Sequence, residues 1–208
     1  MNASASMRIP LYLQPKKGEL CGPVCVRMLL EYFRVSKSLH NIHGELPMIK
    51  TGVRLASMGT YFLAHGFGVQ MIVYHHYPQF PGDFIKLARR TATKHIRSWC
   101  DERPNDPLRK SIAAFIDTGG KILPRPVTEH DIKDALSANV GVLLNVNPAI
   151  LYGNAITDGC GHYVIPTRMN LGRTTVNDPA YGKKSYPTER LMLACHRWSA
   201  GALFVSKK

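Results

Sequence analysis

The order of the element signals constrains the fold of this chain more than any single residue does: helical patterns come first and strand patterns mostly last. Cys25, Met28, Leu29, Tyr32 and Phe33 recur at helical spacing, with Arg27, Glu31 and Arg34 on the opposite face, so an amphipathic helix starts at or just before Cys21. Pro23 suits its first turn, where a missing N–H has no partner to lose. A second helix is expected over Arg54–Leu63, ended by Gly66 and Gly68, with a strand over Val69–Tyr74. A third is expected over Pro81–Trp99, with Ile85, Ala88, Ala92, Ile96 and Trp99 on its apolar side. Asp106 and Pro107 open a short helix that Gly119 and Gly120 stop, and Thr128 with Asp131 opens another that runs to about Leu136. Strands then follow over Val140–Val146, Gly161–Thr167, Thr174–Asn177 and Ala202–Val205. Asn147–Gly159 reads as a loop and Glu189–His196 as a short helix. This is an α+β order, without the strict alternation of a doubly wound sheet.

At 208 residues the chain is long enough for one well-cored domain. No stretch approaches the ~20 apolar residues that a membrane-spanning helix needs. Met1–Pro10 lacks the basic-then-apolar layout of a signal peptide, so a soluble cytoplasmic protein is expected. The five cysteines, Cys21, Cys25, Cys100, Cys160 and Cys195, are odd in number and irregularly spaced, which favours free thiols. With no Cys-x-x-Cys pair, neither a metal site nor a cofactor is indicated; Cys160, His162, Cys195 and His196 could join only if the fold gathered them. The net charge of +13 favours acidic partners. Lys86, Arg90, Lys94 and Arg97 form one basic stripe that could recruit such a partner or be a plain solvated face. No aromatic stacking motif accompanies it, which argues against nucleic acid.

Cys21 stands where a helix begins, and the free N–H groups and dipole at that end favour a thiolate and could receive an oxyanion. Gly22 beside it removes bulk, which would let a substrate carbonyl approach. A cysteine nucleophile needs a base held by a third group. His162 opens the apolar strand Tyr163-Val164-Ile165, and Asp178 follows one strand later. If those two strands are antiparallel neighbours, Asp178 lands near His162 and can orient its ring. Asn177 could serve instead, but it alternates to the other face of the strand. Tyr152 and Asn154, just before His162, are candidates to line a substrate groove. His75 and His76 read as a solvent-exposed strand end, and Cys195 as core.

These segments together resemble the C39 family of papain-like cysteine peptidases, including its freestanding members. The resemblance rests on Gln14 followed by Cys21-Gly22 and a helix with Cys25 four residues on, on Gly161-His162-Tyr163-Val164, and on Asp178-Pro179-Ala180-Tyr181-Gly182. A late helix and a Trp198–Gly201 turn into a final strand also match. The match covers Leu11–Tyr32 and Leu136–Val205; the helical middle, 36–126, is not covered. Leu20 stands where many members carry an acidic or amide residue, and the Gln14-to-Cys21 interval is one residue longer than the common form. The resemblance implies a papain-like fold in which the nucleophile helix packs on an antiparallel sheet. It also implies that Gln14 donates to the oxyanion, Cys21 attacks, His162 acts as base and then acid, and Asp178 orients His162. Cys25 would be a packed helix residue.

Three functions fit this reading: a peptidase cutting a peptide or isopeptide bond, the same triad used for deamidation or acyl transfer, and a non-catalytic domain that binds peptide. The intact Cys21, His162 and Asp178 argue against the third.

Overall fold

The computed structural model describes residues 5–16, 19–74, 89–153, 161–197 and 201–208. Its helices are α1 (Cys21–Tyr32), α2 (Leu39–Glu45), α3 (Leu55–Ala64), α4 (Arg89–Asp101), α5 (Pro107–Asp117), α6 (Glu129–Ser137), α7 (Pro148–Tyr152) and α8 (Thr188–His196). Its strands are β1 (Ala5–Ser6), β2 (Met48–Ile49), β3 (Gly52–Val53), β4 (Phe67–Ile72), β5 (Lys121–Leu123), β6 (Gly141–Val146), β7 (His162–Asn170), β8 (Arg173–Asp178), β9 (Gly182–Pro187) and β10 (Ala202–Lys207). The main sheet runs β5-β4-β10-β6-β7-β8-β9, with β1 beside β7. Among the described residues only the β4–β5 pair is parallel; the other pairs of this sheet are antiparallel. The α+β expectation therefore holds, and long-range pairing assembles the sheet: the last strand, β10, lies between β4 and β6.

Local chemistry accounts for most helix boundaries. Asp106 accepts from the backbone N–H groups of Leu108 and Arg109, with Pro107 in the first turn. Thr128 and Asp131 form a reciprocal capping box. Gly66, at φ +84°, closes α3, but Gly68 lies inside β4, where a side chain would meet Ser206 Oγ on β10 at 2.8 Å. The strand therefore begins at Phe67, two residues before the expected start, because Gly68 permits a close approach of strands instead of ending the helix. The helix expected over Pro81–Trp99 is described from Arg89 and extends to Asp101; Ile85, Lys86 and Ala88 lie outside the described residues.

Two helices, and the short strands β1, β2, β3, β5 and β9, were not legible in the helix and strand patterns. The segment read as a loop after Val146 contains α7: Asn147 Oδ1 accepts from Ile150 N–H, Pro148 occupies the first turn, and Gly153 closes the helix in a left-handed conformation. Within the unmatched middle, Ser38 caps α2 through the backbone N–H of Asn41.

Helix α1 packs on β7. Val24, Cys25, Val26, Met28, Leu29 and Leu30 on it are all sealed from solvent and join the core shared by the sheet and helices. Gly22 is buried too: a Cβ there would lie 2.3 Å from Val53 Cγ1, 3.1 Å from Met58 Sδ and 3.4 Å from the Tyr163 ring. The glycine thus serves the packing of α1 against β3, α3 and β7, which is a different reason from the open approach expected for a substrate. No described helix is long and apolar enough to cross a membrane.

Candidate active site

Cys21 is the first residue of α1, and no side chain caps the first turn of that helix. No acidic residue stands in that turn either, so among the described residues no side chain of the helix competes for its free N–H groups and positive dipole end. Two core contacts hold the helix end in place. Tyr163 Oη donates to Val53 O at 2.9 Å, and Cys25 Sγ donates to Tyr163 O at 3.4 Å. Both tie α1 and its neighbours to the strand that begins at His162.

Strands β7 and β8 are antiparallel, pairing Ile165 with Asn177, and that register carries Asp178 alongside His162. His162 Nε2 lies 2.9 Å from Asp178 Oδ1, and both residues are buried. With Nε2 committed to the carboxylate, Nδ1 is the ring nitrogen left for Cys21. Burial by itself would lower the His162 pKa. The hydrogen bonds with Asp178 and with Cys21, and the charges of both, outweigh it and hold the imidazole up at about 9. Burial would raise the Asp178 pKa, and the hydrogen bond and charge of His162 overcome it, leaving the carboxyl below its ordinary value. The cleft therefore favours an imidazolium held by a carboxylate.

The two cysteines of α1 differ sharply. Cys21 meets His162. Cys25 is fully enclosed, and burial first, then the charges of Cys21 and Asp178, push its thiol well above the usual range. Cys25 is thereby kept as a protonated core residue, which agrees with its expected role.

The N-terminal segment is strapped across the same strands. β1 pairs with the far half of β7, Met7 N–H donates to Thr167 O at 2.7 Å, and Asn177 Nδ2 donates to Ile9 O at 2.9 Å and Pro10 O at 3.2 Å. Asn177 thus faces away from His162, as the alternation implies, and anchors the strap. The strap ends with Gln14 N–H donating to Pro179 O at 2.8 Å, which sets Gln14 beside the turn that follows Asp178. Gln14 Oε1 is buried without a hydrogen-bond partner among the described residues.

One residue has a closer role than its sequence position suggested. Tyr152, expected at a substrate groove, donates its hydroxyl to Asp178 Oδ2 at 2.7 Å. Its ring is 6.0 Å from that of His162 and packs edge-on against Tyr181 at 4.6 Å. No spacing rule could have assigned it, because α7 was itself not legible. Asn154, Cys160, His75, His76 and Trp198 lie outside the described residues, as does Lys86 of the basic stripe; the Arg90 side chain is also not described. Of that stripe, Lys94 is exposed, whereas Arg97 is engaged by Asp117 at 2.6 Å and by Asp101. Cys195 is buried as expected, and His196 Nε2 lies 2.8 Å from Val127 O.

No protein-family model matches this chain, and no curated protein matches it. Solved structures do share its architecture. A double glycine motif protease from an AMS/PCAT transporter, solved in complex with the leader peptide, is 12% identical with a TM-score of 0.54, over 98% of this chain and 95% of that one. The peptidase domain of Streptococcus ComA, a bi-functional ABC transporter involved in quorum sensing, is 11% identical with a TM-score of 0.54, over 97% and 100%. A Bacillus anthracis protein described as a C39-like peptidase is 10% identical with a TM-score of 0.51, over 100% and 99%. The chain thus shares the fold of papain-like C39 peptidase domains over nearly its whole length.

Proposed function

We propose that this chain is a cysteine peptidase that cleaves a peptide or isopeptide bond through an acyl-enzyme on Cys21. The observation that carries the reading is that His162 interacts with both Cys21, at an uncapped helix start, and Asp178, whose Oδ1 lies 2.9 Å from His162 Nε2. In the first half-reaction the Cys21 thiolate attacks the carbonyl carbon, and the oxyanion is received by backbone N–H groups at the start of α1 and by the Gln14 side chain. The His162 imidazolium gives its proton to the leaving amine. In the second, neutral His162 takes a proton from water, whose oxygen attacks the thioester and releases the acid. Asp178 holds the ring and stabilises its charge throughout.

Two further features support a peptide as the substrate. Leu11, Leu13 and Tyr181 are 40%, 62% and 55% exposed, and they gather around Gly182, next to the turn after Asp178. An apolar strip beside the turn that follows Asp178 suits the side chains of an extended chain. The fold is also shared with a protease that was solved holding a leader peptide.

The test is intact mass spectrometry with peptide mapping after brief exposure to limiting iodoacetamide at neutral pH, comparing the native chain with His162→Ala. Fast single labelling at Cys21, slowed at least tenfold in the variant, is expected. Slow labelling spread over several cysteines would reject the activated pair and leave a peptide-binding domain.

A further inference from the structure

Asp178 has no exposed surface, and a carboxylate so enclosed keeps its charge only if both oxygens find donors. Oδ1 has three: His162 Nε2 at 2.9 Å, Ala180 N–H at 2.8 Å and Tyr181 N–H at 3.3 Å. For Oδ2, the donor among the described residues is the Tyr152 hydroxyl, at 2.7 Å. That hydroxyl is held independently of the triad. Tyr152 ends α7, which Asn147 caps at one end and Gly153 closes at the other. Arg190, on α8, donates from Nε to Ile150 O at 3.0 Å, and its Nη2 lies 2.6 Å from where a Gly153 side chain would stand. The half-exposed Tyr181 ring covers Tyr152 edge-on.

We propose that Tyr152 is a positioning residue: its hydroxyl clamps the second oxygen of Asp178, so that the carboxylate plane is fixed and the His162 ring stays aimed at Cys21. Rotation about the Cβ–Cγ bond moves both oxygens; the Ala180 and Tyr181 N–H groups resist it at Oδ1, and the Tyr152 hydroxyl adds the restraint at Oδ2. With Tyr152 in place, turning the plane disturbs four charge-assisted hydrogen bonds instead of three. Burial, followed by the charge of Asp178, drives the Tyr152 pKa far above the usual value for tyrosine, so the hydroxyl stays protonated and remains a donor beside the carboxylate. The inference rests on the reading of Cys21 and His162 as the reacting pair.

The experiment is the second-order rate of Cys21 alkylation by iodoacetamide against pH, in the native chain, in Tyr152→Phe, in Asp178→Asn and in the double variant, with a melting curve for each. Alkylation needs no knowledge of the substrate. Tyr152→Phe, which keeps the ring, is expected to fold, to slow alkylation about tenfold at the optimum as one hydrogen bond to a charged group is lost, and to move the acid limb to higher pH. The limb moves up because the Tyr152 hydrogen bond helps keep the Asp178 pKa low. In the Asp178→Asn background, Tyr152→Phe should add nothing further. An unchanged rate and pH profile in Tyr152→Phe, or a loss that persists undiminished beside Asp178→Asn, would overturn the positioning role while leaving the reacting pair intact. A lowered melting temperature with an unchanged profile would overturn it equally, since the tyrosine would then be structural. Unselective alkylation of the native chain would bring down the proposed function, and this inference with it.

Discussion

Two thiols one helical turn apart show how strongly placement decides chemistry. Cys21 ends at the helix start against His162, whereas Cys25 is sealed beneath it with its Sγ on Tyr163 O. Cys25→Ala should therefore cost stability, on the order of 1–3 kcal/mol for a trimmed core side chain, and leave the rate of Cys21 alkylation within about twofold. A folded Cys25→Ala protein that has lost alkylation at neutral pH would show that the nucleophile has been misassigned. The pattern of residue types predicted this difference only in part. Cys21 followed by glycine and a helix was visible, but that Gly22 exists for the sake of Val53 and Met58, 31 and 36 positions further on, was not. The expectation that it opens the way to a substrate named the right residue for a different reason.

Among the elements, α1 is the one whose seating governs the site. It lies between β7 and the short β2–β3 hairpin, and Gly22 is its point of closest approach. Gly22→Ala forces the helix start away from Val53, because the contact at 2.3 Å is too short for a real Cβ. Overpacking of this kind costs about 1–3 kcal/mol, and the shift should also slow Cys21 alkylation. Val53→Ala removes the methyl group that the new side chain meets, so the Gly22→Ala/Val53→Ala protein should regain part of both losses in melting and alkylation assays. If the double variant is no better than Gly22→Ala alone, the clash with Val53 is not what sets the helix position. Elements with a capping residue next to a clear apolar period, such as α5 and α6, were legible because their boundaries are decided within a few residues. Helix α7 is only five residues long, too short for a period to show, and its capping asparagine was absorbed into a stretch that reads as loop.

The pH response of the whole molecule follows from the same buried pair. The His162 pKa is raised from its ordinary 6.5 to about 9, so its interactions contribute full stability below about 6.5, and that contribution is lost as pH climbs through 9. The Asp178 pKa is lowered from 3.8, so its contribution is present above that value and is lost as pH falls through the folded pKa. Melting temperature should thus be highest between these limits and decline from about pH 6.5 to 9, with the decline much reduced in His162→Asn. Equal pH slopes in the two proteins across that range would mean that the His162–Asp178 pair does not contribute to stability as described.

What the amino-acid sequence determined by itself was local in range. It set where α1 starts, which thiol leads it, that a histidine opens an apolar strand, and that an aspartate closes the next one. Those features depend on neighbours within about one helical turn or one strand, and they were sufficient to single out Cys21, His162 and Asp178 as candidates. The tertiary structure decided everything that depends on contacts between distant segments. It placed β10 between β4 and β6, strapped the first strand across β7 so that Asn177 and Pro179 hold the segment bearing Gln14, and brought Tyr152 onto the free oxygen of Asp178. The physical reason is that a capping residue or an apolar period acts through bonds and spacings already present in the unfolded chain, whereas a buried carboxylate acquires its second donor only when two separate elements have closed around it.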